Sequence, residues 1–369
     1  MIEQLRSLTL EQKIGQLFFI GIDGPELDTA TERLLDEVSP GGICLFARNI
    51  KAAQQTRGLL DAIRDRSTTL PFLSIDQEGG LVDRLRRVLT PMPAANKITN
   101  AADAAELGKI IADALATLGF NMDFAPVVDV VDELRAGQTN GLLSREFGRS
   151  KDEVVELAGA FLASLQNGGI IGCLKHFPGL GASQVDSHEE LPQVLIDEDE
   201  LTDVDLFPYR ELLRTSGISA VMAAHVAFPR HSLQETDENG KLLPSSLSKN
   251  FISTLLRGRL GFDGLVITDD LEMGAIVRNY GIGAACKMAV SAGVDMLAIC
   301  ADTGRIREGY NAVLSSVRIG EIAESRIDES LVRIATVRSK LCPPSEFDTN
   351  KLTRLSERIA ALNENLSRN

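Results

Sequence analysis

The sequence is short of imidazole and has no excess of positive charge. Its 369 residues include four histidines, and 38 lysines and arginines face 52 acidic residues, for a net charge of −14. An acidic balance of that size excludes nucleic acid as a partner, because phosphate binding needs a basic surface. No lysine or arginine run marks a membrane patch, and no apolar run is long enough to span a bilayer. The first apolar run, IGQLFFIGI, follows Glu11 and Lys13 and lacks the basic start and small-residue cleavage site of a secretory leader. The cysteines are Cys44, Cys173, Cys286, Cys300 and Cys342, odd in number and widely spaced. They are read as buried thiols in a reducing, cytoplasmic compartment. Internal repeats and low-complexity tracts are absent as well.

What is present is a regular alternation. Eight short apolar runs occur in order: IGQLFFIGI, GGICLF, PFLSID, NMDFAPVVDV, IGCLKHF, AVMAAHVAF, GLVITDD and DMLAIC. Each is apolar on successive residues, as strands buried on both faces of a parallel sheet are. Helical patterns lie between them. Ser150 and Glu153 form a capping-box pattern before VVELAGAFLASL, Ser248 is placed to cap NFISTLLRGRL, and Gly261 to end it. Eight β/α units predict an α/β fold, a TIM-type (β/α)8 barrel, over residues 1–341. A doubly wound sheet is the other candidate, but no phosphate-binding glycine fingerprint follows the first run. After Ala301 the chain reads as helical. SRIDESLVRIATVRSKL is one amphipathic helix, Pro343 and Pro344 break it, and residues 342–369 form a helical extension expected to pack on the barrel. A dimer contact is its other reading, so the chain is expected to be a monomer or a weak homodimer.

In such a barrel the active site lies at the carboxyl ends of the strands. Polar residues at the ends of the apolar runs are therefore the candidates: Asp76 and Glu78, Arg145, Lys175 and His176, His225, and Asp269 with Asp270. Each also has a structural reading. Asp270 reads as a helix cap or support, and Glu78 as a brace for the Gly79–Gly80 turn. Lys175 and His225 read equally as satisfied buried residues, and His231 as a solvated loop residue. Asp186-Ser187-His188 places a carboxylate two residues from an imidazole, where it can fix the tautomer and raise basicity near neutral pH.

Taken in order, these motifs resemble a family. Lys175-His176-Phe177-Pro178-Gly179, then Gly181, Asp186-Ser187-His188 and Leu191-Pro192 resemble the catalytic loop of family 3 glycoside hydrolases, in their single-domain β-N-acetylglucosaminidase branch. IDQEGG at 75–80 with Arg84, NMDFAPVVDV with Arg145 and Phe147, GGICLFARNI at 41–50 and GFDGLVITDDLEM at 261–273 are similar to its other segments, from about Leu10 to Leu341. The resemblance implies a retaining exo-β-N-acetylglucosaminidase acting on peptidoglycan-derived sugars (muropeptides), without cofactor or metal. It implies Asp269 as nucleophile, Asp186 and His188 as an acid/base dyad, and Asp76, Arg84, Arg145, Lys175, His176 and His225 as residues that bind the sugar. Two departures stand out: Leu180 and Leu81 occupy places where the family usually has histidine and arginine. Other chemistries remain open at this level: a Schiff-base aldolase through Lys175, a metal-dependent hydrolase, a β-glucosidase, phosphorylase or transglycosidase, and a binding barrel without catalysis. The metal reading has little to rest on, since no His-x-His or other ligand-spaced pair occurs.

Overall fold

The computed structural model describes residues 7–137, 141–184, 191–215 and 217–368. Ten strands occur in chain order: β1 Phe18–Gly21, β2 Gly42–Leu45, β3 Phe72–Ile75, β4 Gln77–Gly79, β5 Val82–Asp83, β6 Met122–Asp123, β7 Ile171–Phe177, β8 Ala220–Ala223, β9 Leu265–Thr268 and β10 Leu297–Ile299. Eight of them form one parallel sheet in the order β10-β1-β2-β3-β6-β7-β8-β9. A parallel bridge from Ile267 to Met296 joins β9 back to the start of β10 and closes the barrel. Each of the eight apolar runs in the sequence supplies one barrel strand. β4 and β5 are an antiparallel hairpin at the mouth, directly after β3.

Helices follow the barrel strands, as the spacing predicts, and cover the outer face. Ser150 accepts the Glu153 N–H at 3.2 Å, while the Glu153 carboxylate reaches back to Arg149 N rather than to Ser150. The capping box is therefore half formed, with its return bond shifted by one residue. Ser248 Oγ accepts the Phe251 N–H at 3.3 Å, and Gly261 takes a left-handed φ of 69° just past the helix that ends at Arg259. Inside the barrel, Phe19 stacks on Phe72 at 6.0 Å and meets Phe124 edge-on at 5.2 Å. Gly42 is needed there, since a Cβ on it would lie 2.3 Å from the Phe19 ring.

The C-terminal part holds helices Thr303–Arg318, Glu324–Arg338 and Thr349–Arg368. The second ends three residues before the predicted Leu341. The last lies along helix Ala101–Leu118, with Leu352, Leu355, Ile359 and Leu362 buried beneath it. Arg358 and Lys351 add ion pairs to Glu106 and Asp113 at 2.7 and 3.0 Å. Two sequence expectations fail in this region and in the loop after β8. Cys342 is exposed, unlike the other four thiols. His231 is buried at 6% exposure, with Nδ1 accepting the Leu233 N–H and its ring tilted on Phe251. A polar-looking loop hid it, because the loop folds back on the helix that starts at Asn250. Among the described residues no helix is long and apolar enough to cross a membrane.

Candidate active site

The mouth of the barrel holds a cavity of about 370 Å³. Asp76, Glu78, Arg84, Arg145, Lys175, His176, Asp269 and Asp270 all line it, with Phe124, Met222, Leu180 and Met273 as apolar wall. Residues nearly two hundred positions apart meet because each lies at or beyond the carboxyl end of a barrel strand, on the same rim.

Lys175 is the centre of one polar wall. Its side chain is 2% exposed, and its Nζ lies 2.7 Å from Asp76 Oδ1 and 2.6 Å from Glu78 Oε1. Burial works against the ammonium, but the two carboxylates outweigh it and hold the lysine above its ordinary pKa. Glu78 is not a brace for the glycine turn. It is buried, and Arg145 grips it through Nε and Nη2 at 2.8 and 2.9 Å. Burial raises its carboxyl pKa, but Lys175 and Arg145 overcome that and hold it far below the usual carboxylate range. A buried charge needs partners in this way. A lysine locked between two carboxylates is a cation and not a free amine, so the aldolase reading loses its nucleophile.

The hairpin that carries Glu78 is pinned by Gln77. Its Oε1 accepts the N–H groups of Arg84 and Leu85 at 2.9 and 3.1 Å, and its Nε2 donates to Asp83 at 2.9 Å. Gln77 N donates to Asp123 Oδ1 at 2.9 Å. Asp123 Oδ2 has no hydrogen-bond partner among the described residues, and burial pushes that carboxyl well above the ordinary range. Arg84 sits on the cavity wall with its guanidinium 4.0 Å from Asp76 and over the Phe46 ring at 5.9 Å.

His176 is oriented by Asp129, which the sequence reading passed over. Nδ1 lies 2.7 Å from Asp129 Oδ2, and Nε2 faces Arg145 Nη2 at 3.3 Å. A fixed cation on one side and a carboxylate on the other favour the Nδ1–H tautomer. The second oxygen of Asp129 accepts the Leu180 N–H at 2.6 Å. The signal was an acidic residue inside the apolar run NMDFAPVVDV, since an aspartate at 1% exposure must have partners. The Lys175–His176 peptide is cis, as are Ala125–Pro126 and Phe177–Pro178.

Asp269 follows β9 on the opposite wall. Its N–H is held by Ala223 O at 2.9 Å, and its Oδ1 accepts the Asp270 N–H at 2.8 Å. Burial pushes its carboxyl up, but His176, His225, the Asp270 N–H and Lys175 outweigh that and hold it below the ordinary aspartate value. Asp270 behaves oppositely: burial, together with the charges of Glu272 and Asp269, pushes it up to about 7. Its Oδ1 accepts the Glu272 N–H at 3.0 Å, a local turn rather than a helix cap. Paired carboxyls with separated pKa values are a pattern of acid–base sites.

His225 is expected among the sugar-binding residues, but it is not on the cavity wall. It is fully buried, with Nδ1 2.7 Å from Ser246 Oγ and Nε2 3.1 Å from the Asp270 carbonyl. It supports the Asp269–Asp270 backbone from behind. β8 ends at Ala223, and two residues beyond it the His225 side chain turns to Ser246 and the Asp270 carbonyl instead of into the mouth. Asp186 and His188 fall outside the described residues.

The sequence profile of the Glycosyl hydrolase family 3 N terminal domain matches residues 9–337. This chain belongs to glycosyl hydrolase family 3. It is a glycoside hydrolase. The hydrolase is 32% identical over 304 residues to a β-hexosaminidase of Tolumonas auensis, covering 81% of this chain and 86% of that protein. It is 33% identical over 287 residues to a β-hexosaminidase of Pseudomonas aeruginosa, covering 77% and 82%. Among solved structures it resembles a glycoside hydrolase family 3 β-N-acetylglucosaminidase from Paenibacillus sp. str. FPU-7. The TM-score is 0.86 at 34% identity, over 96% of this chain and 69% of that one.

Proposed function

We propose that the hydrolase releases terminal β-linked N-acetylglucosamine from peptidoglycan-derived fragments, with retention of configuration. The observation that carries the reading is Asp269: a carboxylate held ionised on the wall of a closed-in sugar-sized cavity, facing a cluster of fixed charges. The β-hexosaminidase relatives and the β-N-acetylglucosaminidase neighbour support the N-acetylglucosamine assignment.

The mechanism has two displacements. An Asp269 oxygen attacks the anomeric carbon, the bond to the leaving oxygen breaks, and that oxygen takes a proton from His188. Water then gives a proton back to His188, its oxygen attacks the anomeric carbon, and the bond to Asp269 breaks. Asp186 orients His188. Before and between these steps Asp76, Arg84, Arg145, Lys175 and His176 hold the sugar's hydroxyls and acetamido group. Asp76, Arg145, Lys175 and His176 are fixed by close partners in the protein, which is the preorganisation that makes such contacts effective, while Arg84 Nε is buried with no hydrogen-bond partner among the described residues. His225 acts through Asp269 rather than on the substrate. The barrel domain is assigned to residues 1–341, and residues 342–369 to an extension that braces it. The test compares an aryl β-N-acetylglucosaminide with the matching aryl β-glucoside. Preference for the glucoside would overturn the substrate, and full activity in Asp269→Ala would overturn the mechanism.

A further inference from the structure

The turn that follows β7 rests on a buried ion pair set back from the sugar cavity. Arg135 comes from the loop after β6, and Asp205 immediately precedes helix Leu206–Thr215. Both side chains are buried, and neither lines the cavity. The guanidinium holds both Asp205 oxygens, Nη1 on Oδ1 at 2.9 Å and Nη2 on Oδ2 at 3.0 Å. Glu200 adds an outer contact to Nη2 at 2.7 Å, but its side chain is exposed, and such contacts contribute little. The Arg135 N–H is held in turn by Asp132 Oδ1 at 3.1 Å.

Three successive residues of the turn meet this pair or what it holds. Gly179 has a φ of 144°, and a Cβ there would lie 2.7 Å from Asp205 Cβ and 2.9 Å from its Oδ1. Leu180 donates its N–H to Asp129 Oδ1 at 2.6 Å. A Cβ on Gly181 would lie 1.9 Å from the Val130 carbonyl oxygen and 3.3 Å from Arg135 Nη1. Arg135 Nη1 donates to that same carbonyl at 3.1 Å. Two glycines thus let the turn close on the pair, and the N–H between them aims at Asp129.

Val130 follows Asp129, so fixing its carbonyl fixes the backbone that carries the carboxylate. From Asp129 the contacts reach the cavity: its Oδ2 lies 2.7 Å from His176 Nδ1 and accepts the His176 N–H at 3.2 Å. A buried ion pair is weak evidence for stability, since apolar residues of similar volume can replace it without loss. What apolar packing cannot replace is direction. A planar guanidinium can hold two carboxylate oxygens and a carbonyl at fixed angles.

We propose that Arg135, held by Asp205, is a positioning residue for His176. It acts through the Val130 carbonyl and the 179–181 turn, which together set Asp129. The kinetic side of the inference rests on the sugar-binding role given to His176 above. The test replaces the pair by apolar residues, Arg135→Met with Asp205→Leu, which leaves no buried charge unpaired and keeps Tm near the parent's. The chain has four histidines, so the His176 ring N–H on Asp129 can be followed by NMR with isotope-labelled histidine and identified with His176→Asn. In the double variant that signal shifts or is lost to exchange with water, while those of His225 and His231 stay. For the aryl β-N-acetylglucosaminide, kcat/KM falls about tenfold. Glu200→Gln changes neither readout. Asp129→Asn added to the double variant costs much less activity than it does in the parent, because both changes act on one bond. An unmoved His176 signal overturns the proposal, and so does a loss of activity that simply adds to that of Asp129→Asn. Should the double variant not fold, Asp205→Asn keeps the shape of the side chain and is read in the same way. A moved signal with unchanged kinetics supports the positioning role and removes His176 from the sugar-binding residues.

Discussion

Glu78→Gln takes one negative charge from between two buried cations and keeps the size of the side chain. In the parent, Glu78 meets Lys175 at 2.6 Å and Arg145 through two bonds of 2.8 and 2.9 Å. Breaking a buried pair by removing one partner costs about 3–5 kcal/mol. Lys175 keeps Asp76, and the amide oxygen still accepts one bond, so the lower end, about 3 kcal/mol, is expected. Unfolding entropy of about 2.1 cal/mol/K per residue amounts to about 0.8 kcal/mol/K for a chain of this length, so Tm falls by about 4 °C. The sign of the pH dependence follows from linkage. The Glu78 carboxyl is held below its unfolded value, so its contribution is complete above about pH 4.3 and is lost as the pH falls below it. The gap in Tm between parent and variant is therefore flat near neutrality and narrows in acid. With Lys175 and Arg145 released, kcat/KM falls by about a hundredfold, as for a misplacement of about 1 Å. Calorimetry from pH 8 to pH 3.5, with kinetics at pH 7, measures both. An unchanged Tm at pH 7, or a gap that widens in acid, refutes the account of the network.

Asp269→Ala lowers kcat by at least about 10³-fold with little change in Tm, read with an activated aryl substrate. Asp270→Asn stabilises the protein, because a carboxyl raised to about 7 penalises the folded state once the unfolded chain ionises; the gain in Tm grows from pH 4 to pH 7 and then levels off, and a gain already complete at pH 4 contradicts the assignment. Asp129→Asn weakens the bond that orients His176 and reduces kcat/KM by roughly ten- to a hundredfold, from a charge-assisted bond worth about 1.5–3 kcal/mol. His225→Ala leaves Ser246 Oγ and the Asp270 carbonyl without their partner and costs about 2–4 kcal/mol; a drop in kcat without a change in KM for an aryl substrate distinguishes support of Asp269 from contact with the sugar.

The barrel was legible because its strands are buried on both faces. Runs such as PFLSID and GLVITDD carry that signal in successive residues, and their ends mark the rim. Those ends alone placed Asp76, Lys175, His176 and Asp269 at the mouth, and all four line its cavity. What the sequence did not reveal was which charge faces which. Glu78 and Lys175 are 97 positions apart, and only the closed sheet brings them within a hydrogen bond, so Glu78 looked like part of a local turn. Asp129 was hidden in an apolar run, where its burial was visible but its partner was not. His225 was expected on the wall because it follows β8, and only its bonds to Ser246 and the Asp270 carbonyl show that its side chain turns away from the mouth. Leu180 was singled out as a departure; its backbone N–H proves to matter to Asp129 and its side chain lines the wall.

The ion pairs at Lys175 also bear on how the enzyme comes into being. Asp76, Glu78, Asp129 and Arg145 belong to the first half of the barrel, up to β6 and its loop. Lys175, His176 and Asp269 belong to the second half. Separated at that point, the first half would keep Glu78 on Arg145 but leave Asp76 and Asp129 without Lys175 and His176, and the second half would carry a bare ammonium on a surface meant to be dry. Neither piece would hold the whole site. The complete constellation at the mouth exists only where the two halves meet.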